Sequence, residues 1–158
     1  MARVFVGIGS NSEPERHLRL AVQALRQRFG ALRCSTIYAS APVGFEGPDF
    51  LNLVVGFDAA DPPRALVATL KALEQELSQT RTPRGLDLDL LLYDDLVLDE
   101  DGLRLPRADI ERYAFVLRPL AELAPEQRHP VTRQRFADMW AAFPAHGQPL
   151  RPVEVQLW

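Results

Sequence analysis

The stretch Leu86-Asp87-Leu88-Asp89-Leu90-Leu91-Leu92 constrains this chain more than any other. A run so rich in leucine belongs inside, yet two carboxylates interrupt it at alternate positions. A strand reconciles the two demands, because successive side chains point to opposite faces. Leu86, Leu88, Leu90 and Leu92 are expected to enter the core, leaving Asp87 and Asp89 together on the other face. Residues two apart on a strand lie about 7 Å from each other. Like charges at that spacing repel, and the strand gains nothing by carrying them. A cation would resolve the repulsion. Mg²⁺ commonly takes one or two carboxylates and completes its shell with water and phosphate oxygens. A solvated polar face on an edge strand is the alternative. Arg84, three residues before Asp87, favours the first reading, since a cation beside a carboxylate pair suits a bound polyphosphate.

The other periodicities frame that strand. Val4, Val6 and Ile8 alternate with Phe5 and Gly7, predicting an opening strand buried on both faces. Gly9-Ser10-Asn11-Ser12 ends it, and Ser12 is the expected cap of a helix whose face is Leu18, Val22, Leu25 and Phe29. Gly30 should stop that helix. A strand from Leu32 to Ala39, a turn-rich loop from Ser40 to Pro48 and a strand from Phe50 to Phe57 follow. Pro62-Pro63 opens a second helix with Leu66, Leu70, Leu73 and Leu77 on one stripe. After the aspartate strand, Leu96 to Leu105 reads as a hairpin around Asp101-Gly102. The predicted class is α+β: a ferredoxin-like β-α-β-β-α-β layer, helices on one face of the sheet, with a mixed C-terminal extension. In that extension, helices are expected around Arg118–Leu123 and Arg135–Ala142, whereas Pro149 to Trp158 shows no period. Nothing resembles a linker or a repeat, so residues 1–158 are read as a single domain.

Phe50 and Asn52 share a strand face opposite Leu51, Leu53, Val55 and Phe57. An aromatic plane beside a side-chain amide can hold a flat heterocycle, by stacking and by hydrogen bonds. Core packing for Phe50 and turn chemistry for Asn52 is the alternative. Composition narrows the partners. A net charge of −3, with carboxylates on the sheet face, argues against nucleic acid. Lys71 is the sole lysine among 18 basic residues. Arginine suits bidentate phosphate contacts, although a GC-rich genome would produce the same bias. The single cysteine, Cys34, precludes an internal disulfide and is expected to be a small buried residue. No signal-peptide pattern and no apolar run of ~18 residues is seen, so the expectation is a cytoplasmic protein without a membrane partner, monomeric or weakly homo-oligomeric. His17 is placed on the solvent side of the first helix, and no two histidines have metal-ligand spacing.

Four blocks resemble one family in the same order. Val4-Phe5-Val6-Gly7-Ile8-Gly9-Ser10-Asn11 is similar to the opening strand and turn of the 6-hydroxymethyl-7,8-dihydropterin pyrophosphokinases of folate synthesis. Ala41-Pro42-Val43-Gly44 with Pro48-Asp49-Phe50-Leu51-Asn52 resembles their pterin-pocket segment. Pro83-Arg84-Gly85-Leu86-Asp87-Leu88-Asp89 resembles their signature, and Phe115 to Pro125 their closing segment. The resemblance implies pyrophosphoryl transfer from ATP to the pterin, releasing AMP. It implies two Mg²⁺ ions on Asp87 and Asp89, and a ring held between Phe50 and Phe115 with Asn52, Pro42 and Val43 at its edge. It implies nucleotide contacts from Glu74, Arg84, Arg104, Arg107 and Arg112, with Arg84 and Arg81 assisting catalysis beside the aspartates. The chain departs from the pattern on the nucleotide side. The loop before Pro83 is about five residues short, and Gln79 stands where an arginine is expected, with Arg81 as its substitute. Arg107 replaces a histidine, Tyr113 replaces an arginine with Arg112 adjacent, and the loop from Gly44 to Pro48 is one residue short. Three readings stay open: relocated arginines sustain the reaction, or the chain is a diverged relative with another donor or ring, or it is a non-catalytic pterin-binding module.

Overall fold

The computed structural model describes residues 1–78 and 85–157. The opening strand β1 (Ala2–Ser10) lies inside an antiparallel sheet. Helix α1 (Pro14–Phe29) follows, then β2 (Arg33–Cys34), β3 (Ile37–Ser40), β4 (Phe50–Ala59), α2 (Pro63–Ser78) and β5 (Asp87–Tyr93). The strands run in the order β5-β1-β4-β3, with β2 also paired to β4. The strand expected over Leu32–Ala39 is broken because Ser35 turns inward. Its N–H donates to Val54 O, and its hydroxyl accepts the Val54 N–H, each at 2.9 Å.

Leu18, Val22 and Leu25 of α1 and Leu66 and Leu70 of α2 pack on the face formed by Val4, Val6, Ile8, Leu53, Val55, Leu88 and Leu90. Helix α1 begins on Pro14, with Glu13 left-handed at its cap and no side-chain cap from Ser12, so that expectation is corrected. Its buried face is also wider than the leucine stripe. His17 is fully buried, not solvent-facing, with Nδ1 3.3 Å from Ser10 Oγ and in contact with Ser12 O. Cys34 is half-buried, and burial pushes its thiol pKa up.

A bulge breaks the alternation of β5. Val6 pairs with Leu90 and Phe5 with Leu92, leaving Leu91 as the extra residue. Leu92 therefore joins Phe5 and Val54 on the second face, not the leucines of the first. That second face is covered too, contrary to a layer with helices on one side. The hairpin β6 (Leu98–Glu100) and β7 (Leu103–Leu105), turned by left-handed Asp101 and Gly102, leads to α3 (Asp109–Arg112), α4 (Ala114–Leu123) and α5 (Phe136–Ala142). Ile110, Leu117, Leu120 and Phe136 from these helices bury Phe5, Leu91 and Leu92. The tail adds β8 (Arg151–Val153) on β3, where Pro152 is tolerated at a sheet edge. Among the described residues, no helix is long and apolar enough to cross a membrane.

Candidate functional site

Where α3–α5 stop short, the second sheet face is open, and its floor is set by strand register. On β1, Gly9 lies between Asp87 of β5 and Asn52 of β4; Gly7 lies between Asp89 and Val54. Neither row carries a side chain at its centre, so a groove runs between the carboxylates and the amide. The Asn52 side chain leans across the space that Gly9 leaves, and a Cβ there would overlap Asn52 Oδ1. Asn52 is buried, and its Nδ2 donates to Ser40 Oγ at 3.4 Å.

The groove opens into a cleft of about 250 Å³ that gathers Asp87, Asp89, Val43, Phe50, Asn52 and Phe115. It also gathers Phe45 and Asp109, which sequence reasoning passed over, and Tyr113, which it named only as a departure from the family pattern. Phe45 stands edge-on to Phe50 with ring centres 6.2 Å apart, and Tyr113 stacks on Phe115 at 5.0 Å. An aromatic recurring near Phe50 and Phe115 was the signal available for the first and last of these. Pro42 lines an adjoining cavity with Val43, Phe115 and residues 147–150.

Behind Asp89 lies a second cavity of about 260 Å³, lined by Lys71, Arg104, Arg107 and Asp109. Arg107 reaches it because the bulge leaves Leu91 O unclaimed by β1. Arg107 N–H donates to that carbonyl at 3.0 Å, and its guanidinium Nη2 then lies 3.8 Å from Asp89 Oδ1. Its Nε donates to Asp109 Oδ2 at 3.1 Å. Burial would lower the Arg107 pKa, but Asp89, Asp109 and Asp87 outweigh it, and the net shift is upward. Lys71, a solitary lysine that composition alone could have flagged, has Nζ 3.3 Å from Asp89 Oδ1 and 2.9 Å from Glu74 Oε2. Its ammonium is likewise held charged: burial pulls the pKa down, and Glu74 with Asp89 more than offsets it. Glu74 thus meets the site through Lys71. Arg112 is exposed and lines neither cavity. Arg81 and Arg84 lie outside the described residues.

A carboxylate pair at the mouth of such a cleft fits Mg²⁺, which needs few protein oxygens and keeps sites for water and phosphate. Among the described residues no cluster of three or more His, Cys, Asp or Glu is arranged to hold a metal ion. Acid and aromatic groups thus line one cleft, and cations line the cavity behind Asp89, the setting of a small-molecule site. Over residues 5–125 the chain matches, and belongs to, the 7,8-dihydro-6-hydroxymethylpterin-pyrophosphokinase (HPPK) family. It is 37% identical over 153 residues to a 2-amino-4-hydroxy-6-hydroxymethyldihydropteridine pyrophosphokinase of Pseudomonas aeruginosa, covering 92% of this chain and 94% of that one. The enzyme of the same name from Aquifex aeolicus is 32% identical over 140 residues, covering 85% and 88% of the two chains. Among solved structures, an HPPK-DHPS in complex with substrates superposes with a TM-score of 0.77 at 12% identity, a likeness of fold. The match covers 90% of this chain and 43% of that longer one.

Proposed function

We propose that this chain transfers pyrophosphate from ATP to 6-hydroxymethyl-7,8-dihydropterin, releasing AMP, as a step of folate biosynthesis. The observation that carries the reading is the single cleft in which Asp87 and Asp89 face Gly9 and Gly7 beside Phe50, Asn52 and Phe115. In this reading β1, α1, β3, β4, α2 and β5 form a ferredoxin-like split βαβ layer. The antiparallel order of aspartate strand, β1, β4 and β3 supports it.

Phe50 and Phe115 bind the faces of the pterin ring, and Asn52, fixed by Ser40 and Gly9, orients its hydrogen-bonding edge. Val43 and Pro42 close the rim. Asp87 and Asp89 would hold two Mg²⁺ ions, which when bound neutralise polyphosphate charge and orient the phosphates. Lys71, Arg104 and Arg107, on the far side of Asp89, receive the phosphate oxygens. The hydroxymethyl oxygen attacks the β-phosphorus in line. A carbon–oxygen–phosphorus link forms, the bond from the β-phosphorus to the oxygen shared with the α-phosphate breaks, and AMP leaves with that oxygen. The hydroxyl proton passes to water. Positioning and electrostatics supply the rate, because little covalent work falls to the protein. We place the reaction in the cytoplasm, with a monomer or weak homo-oligomer as the working unit.

The test is AMP formation from ATP, Mg²⁺ and 6-hydroxymethyl-7,8-dihydropterin. AMP that depends on the pterin supports the reading. Pterin binding without AMP would refute it and direct the search to another donor.

A further inference from the structure

The segment that follows α5 lies beyond the span matching the family, residues 5–125, yet it touches the wall of the ring cleft. Gln148 is the contact. Its Oε1 accepts the Ala114 N–H at 2.9 Å, and its Nε2 donates to Arg112 O at 3.0 Å. Both halves of the amide are satisfied in one orientation, which fixes the side chain. The two partners flank Tyr113, the extended residue between α3 and α4.

This corner needs an external support. Ala114 is the first residue of α4, and its N–H has no acceptor within the helix. Tyr113, at the cap position, provides no side-chain cap. Pro119 lies inside α4 and has no N–H, so the bond that would normally hold Phe115 O four residues back is missing. Gln148 supplies from 34 residues away what the local sequence omits. The turn it steadies carries the Tyr113–Phe115 stack, which lines the cleft.

We propose that Gln148 is a positioning residue for the pterin site: by bridging Ala114 N and Arg112 O it sets the plane of Phe115. The inference rests on Phe115 contacting the ring, and its test separates the two ideas. Dissociation constants for 6-hydroxymethyl-7,8-dihydropterin and for Mg-ATP are measured by calorimetry on wild type, Gln148→Met, Phe115→Ala and the double variant. Gln148→Met is close in shape and removes both bonds. It should weaken pterin binding about tenfold, which corresponds to roughly 1.4 kcal/mol, and leave Mg-ATP binding within twofold. In the Phe115→Ala background the same change should have no further effect, because the wall it positions is gone. Additive losses, equal losses for both ligands, or no loss would overturn the proposal. If Phe115→Ala alone leaves pterin affinity unchanged, the ring assignment fails instead, and Gln148 is left without a role in binding. Gln148→Glu keeps the acceptor for Ala114 N at a helix start, where negative charge is favoured, and guards against a misfolded methionine variant. It should recover part of the pterin affinity; a loss as large as that of Gln148→Met would count against the bridge.

Discussion

At the scale of single residues, the site depends on what is missing at positions 7 and 9 as much as on the aspartates. Gly9→Ala would drive a methyl group into Asn52 Oδ1, and that buried amide has nowhere to retreat without losing Ser40. In the proposed reading, where Asn52 holds the ring edge, pterin affinity is expected to fall at least about tenfold in a binding titration. Asp89→Ala should abolish AMP formation while changing unfolding free energy by less than about 1 kcal/mol, measured in urea. Its partners Lys71 and Arg107 are about half-exposed, so the pairs organise charge without holding the fold. The carboxylates were legible in the sequence because alternation alone puts them on one face. Lys71 and Asp109 were not, because their proximity to Asp89 depends on where α2 and the chain after β7 pack, which no local period encodes.

At the scale of elements, two polar clusters tie the second-face helices to the sheet. Glu122 of α4 accepts from Thr36 N at 2.6 Å, Thr36 Oγ1 at 3.0 Å and Tyr38 Oη at 2.8 Å. Arg118, one turn earlier, stacks over Tyr38 and Trp140. Glu122→Ala should cost about 1–3 kcal/mol in chemical denaturation, because three donors lose one acceptor group. His129 holds the turn before α5. Its Nδ1 accepts the Val131 and Thr132 N–H groups, each at 3.1 Å, which requires an imidazole unprotonated at that nitrogen. Burial lowers its pKa, with Glu111 pulling weakly the other way. A depressed folded value means stability is present above the unfolded pKa near 6.5 and is lost as pH falls through the folded one. The melting temperature should therefore drop between about pH 7 and pH 5, and more steeply than in His129→Asn, which accepts hydrogen bonds without titrating. Equal slopes would remove His129 from the account. The bulge at Leu91 belongs to this scale too. The alternating run from Leu86 to Leu90 gave no sign of it, and the Leu91 carbonyl that the bulge takes out of the ladder is claimed instead by Arg107 N.

At the scale of the whole molecule, periodicity was enough for the succession of the first strands and helices along the chain and for the first hydrophobic layer. Val4, Val6 and Ile8 could hardly face anything but α1 and α2. It failed for the second layer because Phe5, Val54 and Leu92 look, along the chain, like ordinary members of two-sided strands. The helices that cover them come from the least patterned third of the sequence. The candidate site lies where those two layers differ in extent: the first face is fully roofed, and the second is roofed only as far as Phe115. The glycine rows then have a consequence for how such a protein can be altered. The base of the site is backbone, and any side chain planted on it stands in the ligand's place. An alanine at position 7 would meet Leu91 at an ordinary 3.6 Å, so it would fold, and fill the tray from below. The rim is different: Val43 and Phe45 are exposed side chains on a loop, free to be exchanged without disturbing a single strand pairing. Libraries at positions 43 and 45 should therefore yield folded variants with shifted ring preference. A library at position 7 should yield folded variants that have lost ring binding.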